Sequence, residues 1–300
     1  MRVLVTNDDG VDAPGLAAVT RALGRWAGDE HEIVVVAPGS NFSGASAAVG
    51  VVEDRTVIPY RCATVEGAEH VPAYGLEASP ALAVLAGALG AVGPKPDLVV
   101  SGINHGVNVG RSILHSGTVG ACLTASQVGI SALAVSLRAG ASPPPWDTAA
   151  DLAVCLLDLL ARAPARTVLN LNVPAVPMDE LKGVRWARVS GAGLIKAALD
   201  RGPWDGPNRA EMEGPAVAEG THAAMETERS GRGEIVLTVG SPFPADAPDP
   251  SDGSEDAALV AQGYAALTAL RGPRAEEDPE LLGLLGSGLA GALAPLGLPA

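Results

Sequence analysis

Two adjacent carboxylates, Asp8 and Asp9, stand between Asn7 and Gly10 at the end of an apolar run, Val3-Leu4-Val5. Paired acids repel, so a fold that keeps them together supplies a cation, a shared proton or open solvent. The alternative to a cation site is an acidic turn that caps the next helix and sits near the positive end of its dipole. Three further stretches carry polar groups of matching type: the hydroxyls of Ser40, Ser43 and Ser46, the amides of Asn104 and Asn108 beside His105, and His115 followed by Ser116-Gly117-Thr118. Carboxylate, hydroxyl and amide oxygens are hard ligands, which favour Mg²⁺, Mn²⁺ or Ca²⁺ over a structural zinc site. A helix that begins after Ser-Gly-Thr offers free amides to a phosphate without needing a lysine. Cation and phosphate cradle together point to phosphoryl chemistry, with Asp8 or Asp9 orienting or deprotonating a water, or attacking phosphorus directly.

The elements that must position these groups read as an alternation of buried strands and helices. Met1 to Thr6 reads as a strand, Pro14 to Trp26 as a helix, and Glu32 to Ala37 as a second strand ending at Pro38. Strand, helix and strand in so short a span make a parallel unit with a right-handed crossover. β-rich pieces are expected at Val49 to Val52 and Thr56 to Tyr60, a helix at Pro80 to Leu89, and a third buried strand from Asp97 to Ser101. The glycine- and asparagine-rich stretch from Gly102 to Gly110 reads as a loop, and Val119 to Val128 as a helix capped by Ser116 or Thr118. Ser131 to Leu137 and Thr167 to Asn172 read as strands flanking a helix at Trp146 to Leu160. The three polar loops after strands thus fall on one carboxyl edge of a sheet, where open α/β folds bind ligands.

The second half is less periodic. Residues 191 to 232 read as an arm, hairpin or long loop, Glu234 to Gly240 as a strand and Phe243 to Ser254 as a solvated break. Asp256 to Gln262 reads as a helix and Tyr264 to Leu270 as a strand. Residues 1–175 are expected to form the site-bearing domain and 176–300 a smaller α+β portion.

Composition narrows the partners. A net charge of −14 disfavours duplex nucleic acid and anionic membranes, because long-range repulsion slows every encounter. The three scattered cysteines form no framework, and the start of the chain offers only a short apolar run before two acids, so a cytoplasmic setting is expected. Leu281 to Ala300 carries no charge but has five glycines and two prolines, and reads as a packed or subunit-joining tail rather than a membrane anchor. Neither a Walker-type phosphate loop nor a Gly-x-Gly-x-x-Gly after the first strand is present, which argues against a P-loop hydrolase and a dinucleotide binder. A haloacid-dehalogenase-like phosphatase would need its two acids separated by one residue, and here they are adjacent.

Four motifs in order carry a family resemblance: Val5-Thr6-Asn7-Asp8-Asp9-Gly10; Val36-Ala37-Pro38 with Ser43-Gly44-Ala45-Ser46; Ser101-Gly102-Ile103-Asn104-His105-Gly106-Val107-Asn108; and His115-Ser116-Gly117-Thr118-Val119. With their spacing they resemble the SurE family of stationary-phase survival nucleotidases. Weaker echoes run through Leu169-Asn170-Leu171-Asn172-Val173-Pro174 and the segment from Asp256 to Leu270. The resemblance implies a Rossmann-like α/β fold, a mostly parallel sheet flanked by helices, with a C-terminal arm or hairpin that builds a homodimer or homotetramer. It also implies one divalent metal ion per subunit, Mg²⁺ or Mn²⁺, and hydrolysis of nucleoside 5′- or 3′-monophosphates. Carried over by position, the metal ligands are Asp8, Asp9, Ser43 and Asn104; the phosphate-binding set is Gly44, Asn104, Asn108, Ser116, Gly117 and Thr118; and Asp8 and Asp9 are catalytic. The chain departs from the family pattern in three places: Gly39-Ser40-Asn41-Phe42 replaces a charged loop, Ala78-Ser79-Pro80-Ala81-Leu82-Ala83 lacks an acid and a cysteine, and the arginines near Ser190 are reduced to Arg185 and Arg188. These departures touch the surroundings that choose the leaving group, which keeps open another phosphomonoester as substrate, or a nucleotide-binding module with little turnover.

Overall fold

Strand β1 (Arg2–Thr6) is buried along its whole length. That pattern suits the middle of a parallel sheet covered on both faces. The computed structural model of the protein, which describes residues 1–52, 56–191 and 254–272, places it there. Strand β2 (Glu32–Pro38) pairs with β1 in parallel on one side, and β5 (Leu98–His105) pairs in parallel on the other. Beyond β2 lie β4 (Ala73–Leu76) and the edge strand β3 (Tyr60–Ala63). Beyond β5 come β6 (Ser131–Leu137), β7 (Val168–Val173), β9 (Ala265–Leu270) and β8 (Val184–Trp186). The order is β3-β4-β2-β1-β5-β6-β7-β9-β8, with only the β3–β4 and β7–β9 pairings antiparallel. Strand order reverses at β1, so a ligand crevice opens where the loops after β1 and β5 part to opposite faces.

Helices cover both faces. Val3 and Val5 of β1 face α1 (Pro14–Ala27) and α4 (Trp146–Arg162), where Leu16, Leu23, Leu157 and Leu160 complete the layer. Leu4 points the other way, toward α2 (Pro80–Ala88) and α3 (Gly117–Gln127), with Val84, Val119 and Cys122. Each fully buried leucine contributes roughly 1.5–3 kcal/mol. Stability therefore rests in these two layers, and the loops at the strand ends are left to serve a ligand. Helix starts follow local chemistry: Pro14 and Pro80 open α1 and α2, and the Ser79 and Ser116 hydroxyls accept the Leu82 and Val119 N–H groups at 3.2 and 3.1 Å. A short helix, α5 (Asp256–Ala261), precedes β9.

The strands from β1 to β9 belong to one compact unit, Met1–Leu270, in which β9 extends the same sheet by pairing with β7. No helix among the described residues is long and apolar enough to cross a membrane. The expected arm at 191–232 falls outside the described residues beyond residue 191, as do the strand at 234–240 and the tail at 281–300.

Two sequence expectations are corrected. Val49 to Val52 forms no strand, and the residues before Tyr60 do not either; Val51 and Val52 are exposed, and the segment has no strand alongside it among the described residues. The extended structure lies later, in β3 and in the unexpected β4. Likewise β5 does not stop at Ser101 but runs on to His105, with a register shift between Ser101 and Asn104. A Cβ at Gly102 would lie 2.3 Å from the Val135 carbonyl oxygen. That glycine marks close approach of two strands rather than a loop, and it carries Asn104 to the sheet edge as part of a strand.

Candidate functional site

Beyond Thr6 the backbone turns at once, because the Asn7 side chain holds Gly10 from both sides: Oδ1 accepts its N–H at 3.2 Å and Nδ2 donates to its carbonyl at 2.8 Å. The turn is stitched to the loop after β2 by two backbone bonds, Phe42 N–H to the Asp8 carbonyl at 2.7 Å and Val11 N–H to the Pro38 carbonyl at 2.8 Å. The far end of that loop is tied to the segment before α3, where the Ser46 hydroxyl donates to the Leu114 carbonyl at 2.7 Å. Of the three candidate serines, Ser46 is thus occupied, whereas Ser43 is exposed, its backbone N–H given to Asn41 Oδ1 at 2.7 Å and its hydroxyl without a hydrogen bond among the described residues.

Asp8 is 3% exposed, and its Oδ1 accepts the Thr118 hydroxyl at 2.5 Å. The start of α3 presses directly on this carboxylate: a Cβ on Gly117 would lie 2.7 Å from Asp8 Cβ and 2.8 Å from its Oδ2. The first backbone N–H groups of α3 have no partners inside the helix, so the acid and the helix start share one small space. Asp9 is half-buried and lines the same cleft as His105 at the end of β5. Burial pushes both carboxyls above the usual range. For Asp8 the Thr118 bond pulls back and the charge of Asp9 pushes further up; for Asp9 the His105 N–H and imidazole pull back. Among the described residues neither acid is paired with a lysine or arginine. A buried and a half-buried like charge without such a partner are the condition a bound cation relieves.

The other predicted residues lie in the loop after β2, at the end of β5 and beyond it, and at the start of α3. Asn104 sits at the β5 end, its Nδ2 given to the Gly106 carbonyl at 2.7 Å, which leaves the amide oxygen as the atom to offer a cation. Gly44 lies at the exposed crest of the serine loop. Ser116 caps α3 by accepting the Val119 N–H at Oγ, which leaves its O–H to donate to an anion while its backbone N–H goes to the Ile113 carbonyl; Thr118 gives its O–H to Asp8, so there an anion is left the backbone. Asn108 is buried and knotted to β7. Its N–H donates to Asn172 Oδ1 at 2.7 Å, its Nδ2 to Ser136 Oγ at 2.9 Å, and its carbonyl accepts Asn170 Nδ2 and Asn172 Nδ2 at 2.9 and 3.0 Å. His115 is exposed, while His105 meets the Trp146 ring edge to face at 5.5 Å.

The model of the family described as Survival protein SurE matches residues 3–194 of this chain. The chain belongs to the SurE family. A relative from Cronobacter sakazakii named 5′/3′-nucleotidase SurE is 40% identical over 190 residues, covering 63% of this chain and 69% of the relative. Another from Desulfatibacillum aliphaticivorans, named 5′-nucleotidase SurE, is 40% identical over 202 residues, 66% of this chain and 75% of its own length. The crystal structure of the SurE protein from Aquifex aeolicus aligns with a TM-score of 0.66 at 24% identity, over 95% of this chain and all of that one, and shows the same fold. The SurE match spans all four polar loops.

Three residues that the sequence places only in the weaker echoes, with no role, support the loops of this SurE-family site. Asn170 and Asn172 stand two apart on β7, which puts both on one face; a pair of amides alternating with leucine in a buried strand is the signal for them. Asp256 is wholly buried and joins distant parts: Oδ2 accepts the Gly110 N–H at 2.9 Å, and Oδ1 accepts the Ser190 and Ala257 N–H groups at 3.0 and 2.8 Å. It anchors the 3-10 turn at Gly110–His115 that leads into α3. Asp256→Asn, which keeps one acceptor oxygen, is expected to destabilise the fold by about 1–2 kcal/mol, read by chemical denaturation. Asp8→Asn is expected to do the opposite. A carboxyl whose folded pKa lies above its unfolded value weakens the fold as pH rises through that interval, so removing the charge raises the melting temperature in chelator at neutral pH. The rise is roughly 2–4 °C, the shift about 1 kcal/mol produces in a large domain. Lowering the pH narrows the difference between the two proteins.

Proposed function

We propose that the protein is a divalent-metal-dependent phosphomonoesterase that hydrolyses nucleoside 5′- or 3′-monophosphates to nucleoside and phosphate. The observation that carries this reading is the adjacent acid pair, Asp8 buried against the N-terminus of α3 and Asp9 half-buried beside it, with no lysine or arginine paired to either among the described residues. The names of the SurE relatives support the same activity. Asp8, Asp9, Ser43 and Asn104 form an all-oxygen donor set suited to Mg²⁺ or Mn²⁺. The ion would supply charge neutralisation on the phosphoryl oxygens and a lowered pKa for a bound water.

The chain's own residues then have separate roles. The backbone N–H groups of Gly117 and Thr118 and the hydroxyl of Ser116, whose own N–H is given to Ile113, receive the phosphate oxygens at the start of α3, helped by the helix dipole. Gly44 and Asn108 complete the proposed phosphate set, Asn108 chiefly as the anchor of its loop. Thr118 fixes the orientation of Asp8. Asp9, the less enclosed of the two acids, orients the attacking water and takes its proton at a carboxylate oxygen. The proposal extends to a cytoplasmic homodimer or homotetramer, tested by mass in solution, where a strictly monomeric mass counts against it.

The substrate is tested by phosphate release from a panel of nucleoside 5′- and 3′-monophosphates, simple alkyl phosphates and polyphosphate with Mg²⁺ and Mn²⁺. Nucleoside monophosphates are expected to be turned over fastest. Tight nucleotide binding with no release under any metal would instead make the protein a binding module.

A further inference from the structure

A cleft of about 430 Å³ opens beside Asp9, between the loop after β1, the Gly39-Ser40 backbone and the first residue of α4, Trp146. Its volume falls in the ~300–1,000 Å³ range of small-molecule pockets. One wall is aromatic and held in place. The Trp146 indole meets the His105 imidazole at 5.5 Å between centroids and 62° between planes. From below it rests against Gly15, where a Cβ would lie 3.1 Å from the indole Cζ3 and 2.0 Å from the Ile103 carbonyl oxygen. Only glycine fits at that point, so β5, α1 and α4 meet there and fix the ring before any ligand arrives. Trp146 nevertheless stays half-exposed toward the cleft. A second cleft of about 430 Å³ on another side of Trp146 is lined in part by Pro143, Pro144, Pro145 and Pro177 and does not reach Asp8 or Asp9.

We propose that the cleft beside Asp9 is the leaving-group subsite, and that Trp146 is the residue that makes the site prefer phosphate esters of aromatic nucleosides over esters of small alcohols. This deepens the phosphomonoesterase reading and rests on it. A phosphate held between Asp9 and the start of α3 has its ester oxygen free to face the cleft, because the opposite side is closed by Thr118 and Gly117 on Asp8. A nucleobase extending from there meets a preorganised indole. Stacking on a fixed aromatic ring is sequence-tolerant, since every base has a π-face, so the subsite selects for a base without selecting strongly among bases.

The test compares wild type, Trp146→Ala and Trp146→Phe on adenosine 5′-monophosphate and on glycerol 2-phosphate, with thermal melting as a control for folding. Trp146→Ala is expected to lose about tenfold in kcat/KM on the nucleotide, mostly through KM, while glycerol 2-phosphate changes by less than about twofold and Trp146→Phe recovers most of the loss. An equal loss on both substrates, or no loss on either, overturns the assignment. Calorimetric binding of adenosine, which needs no turnover, separates this inference from the reading beneath it. Adenosine binding that depends on Trp146 in a protein that releases no phosphate removes the phosphatase reading and keeps the subsite; adenosine binding unchanged in Trp146→Ala removes the subsite alone.

Discussion

Asp9→Asn is expected to cut phosphate release from nucleoside monophosphates by about a thousandfold or more, at saturating Mg²⁺ or Mn²⁺. The proposed roles converge on this side chain: it supplies an anionic oxygen to the cation, and it takes the proton of the attacking water. An amide is close in shape, but it neither carries the charge nor accepts the proton at that oxygen. Loss of about 4 kcal/mol of transition-state stabilisation corresponds to that factor, and charge stabilisation at a metal site is of this order. The fold should tolerate the change, because Asp9 is only half-buried and burial already disfavours its ionised form, pushing its pKa up. Steady-state kinetics with a melting curve alongside checks both halves. An Asp9→Asn protein that folds and turns over within a factor of a few of wild type removes Asp9 from the chemistry.

Gly117→Ala is the second large effect, about a hundredfold in kcat/KM. One methyl group would enter space already held by Asp8, at 2.7 Å from its Cβ and 2.8 Å from Oδ2. Asp8 Cβ is not the far end of a flexible chain, and Asp8 is also held through the Thr118 bond, so relief must come from moving the carboxylate or the start of α3. Either shift separates the acid pair from the amides meant for the phosphate, and displacements near 1 Å cost about that factor in positioned catalysis. Overpacking costs about 1–3 kcal/mol of stability as well. Helix propensity argues only weakly the other way, since the gain of alanine over glycine belongs to helix interiors and Gly117 is the first residue of α3. A Gly117→Ala protein with higher stability and intact activity would therefore show that α3 and Asp8 do not share the space assigned to them.

The parts of this architecture that local chemistry specifies were legible in the chain. β1, β2 and β6 are continuous apolar runs, α1 and α2 open on proline, and Ser116 announces the start of α3. The family resemblance rested on the same local motifs, and the family match includes each of them. What could not be read depends on partners far along the chain. Thr118 looked like a phosphate ligand or a cap, but its hydroxyl goes to Asp8, 110 residues earlier. Asp256 looked like the first turn of a minor helix, but it holds Gly110, 146 residues away. Gly102 carried a loop signal because glycine usually marks a turn; here it permits contact with the Val135 carbonyl, and the strand continues to His105. β4 escaped notice since four residues centred on Tyr74 and Gly75 have little strand character until β2 and β3 flank them.

The acid pair remains the centre of the account. Its most direct test is phosphate release from adenosine 5′-monophosphate by chelator-stripped protein titrated with Mn²⁺, run beside Asp9→Asn. Release should start near zero, rise to a plateau at one ion per chain, and stay at baseline in the variant. Full release in chelator, or a titration that Asp9→Asn leaves unchanged, would contradict the assignment of Asp8 and Asp9 to a cation that serves a phosphate ester.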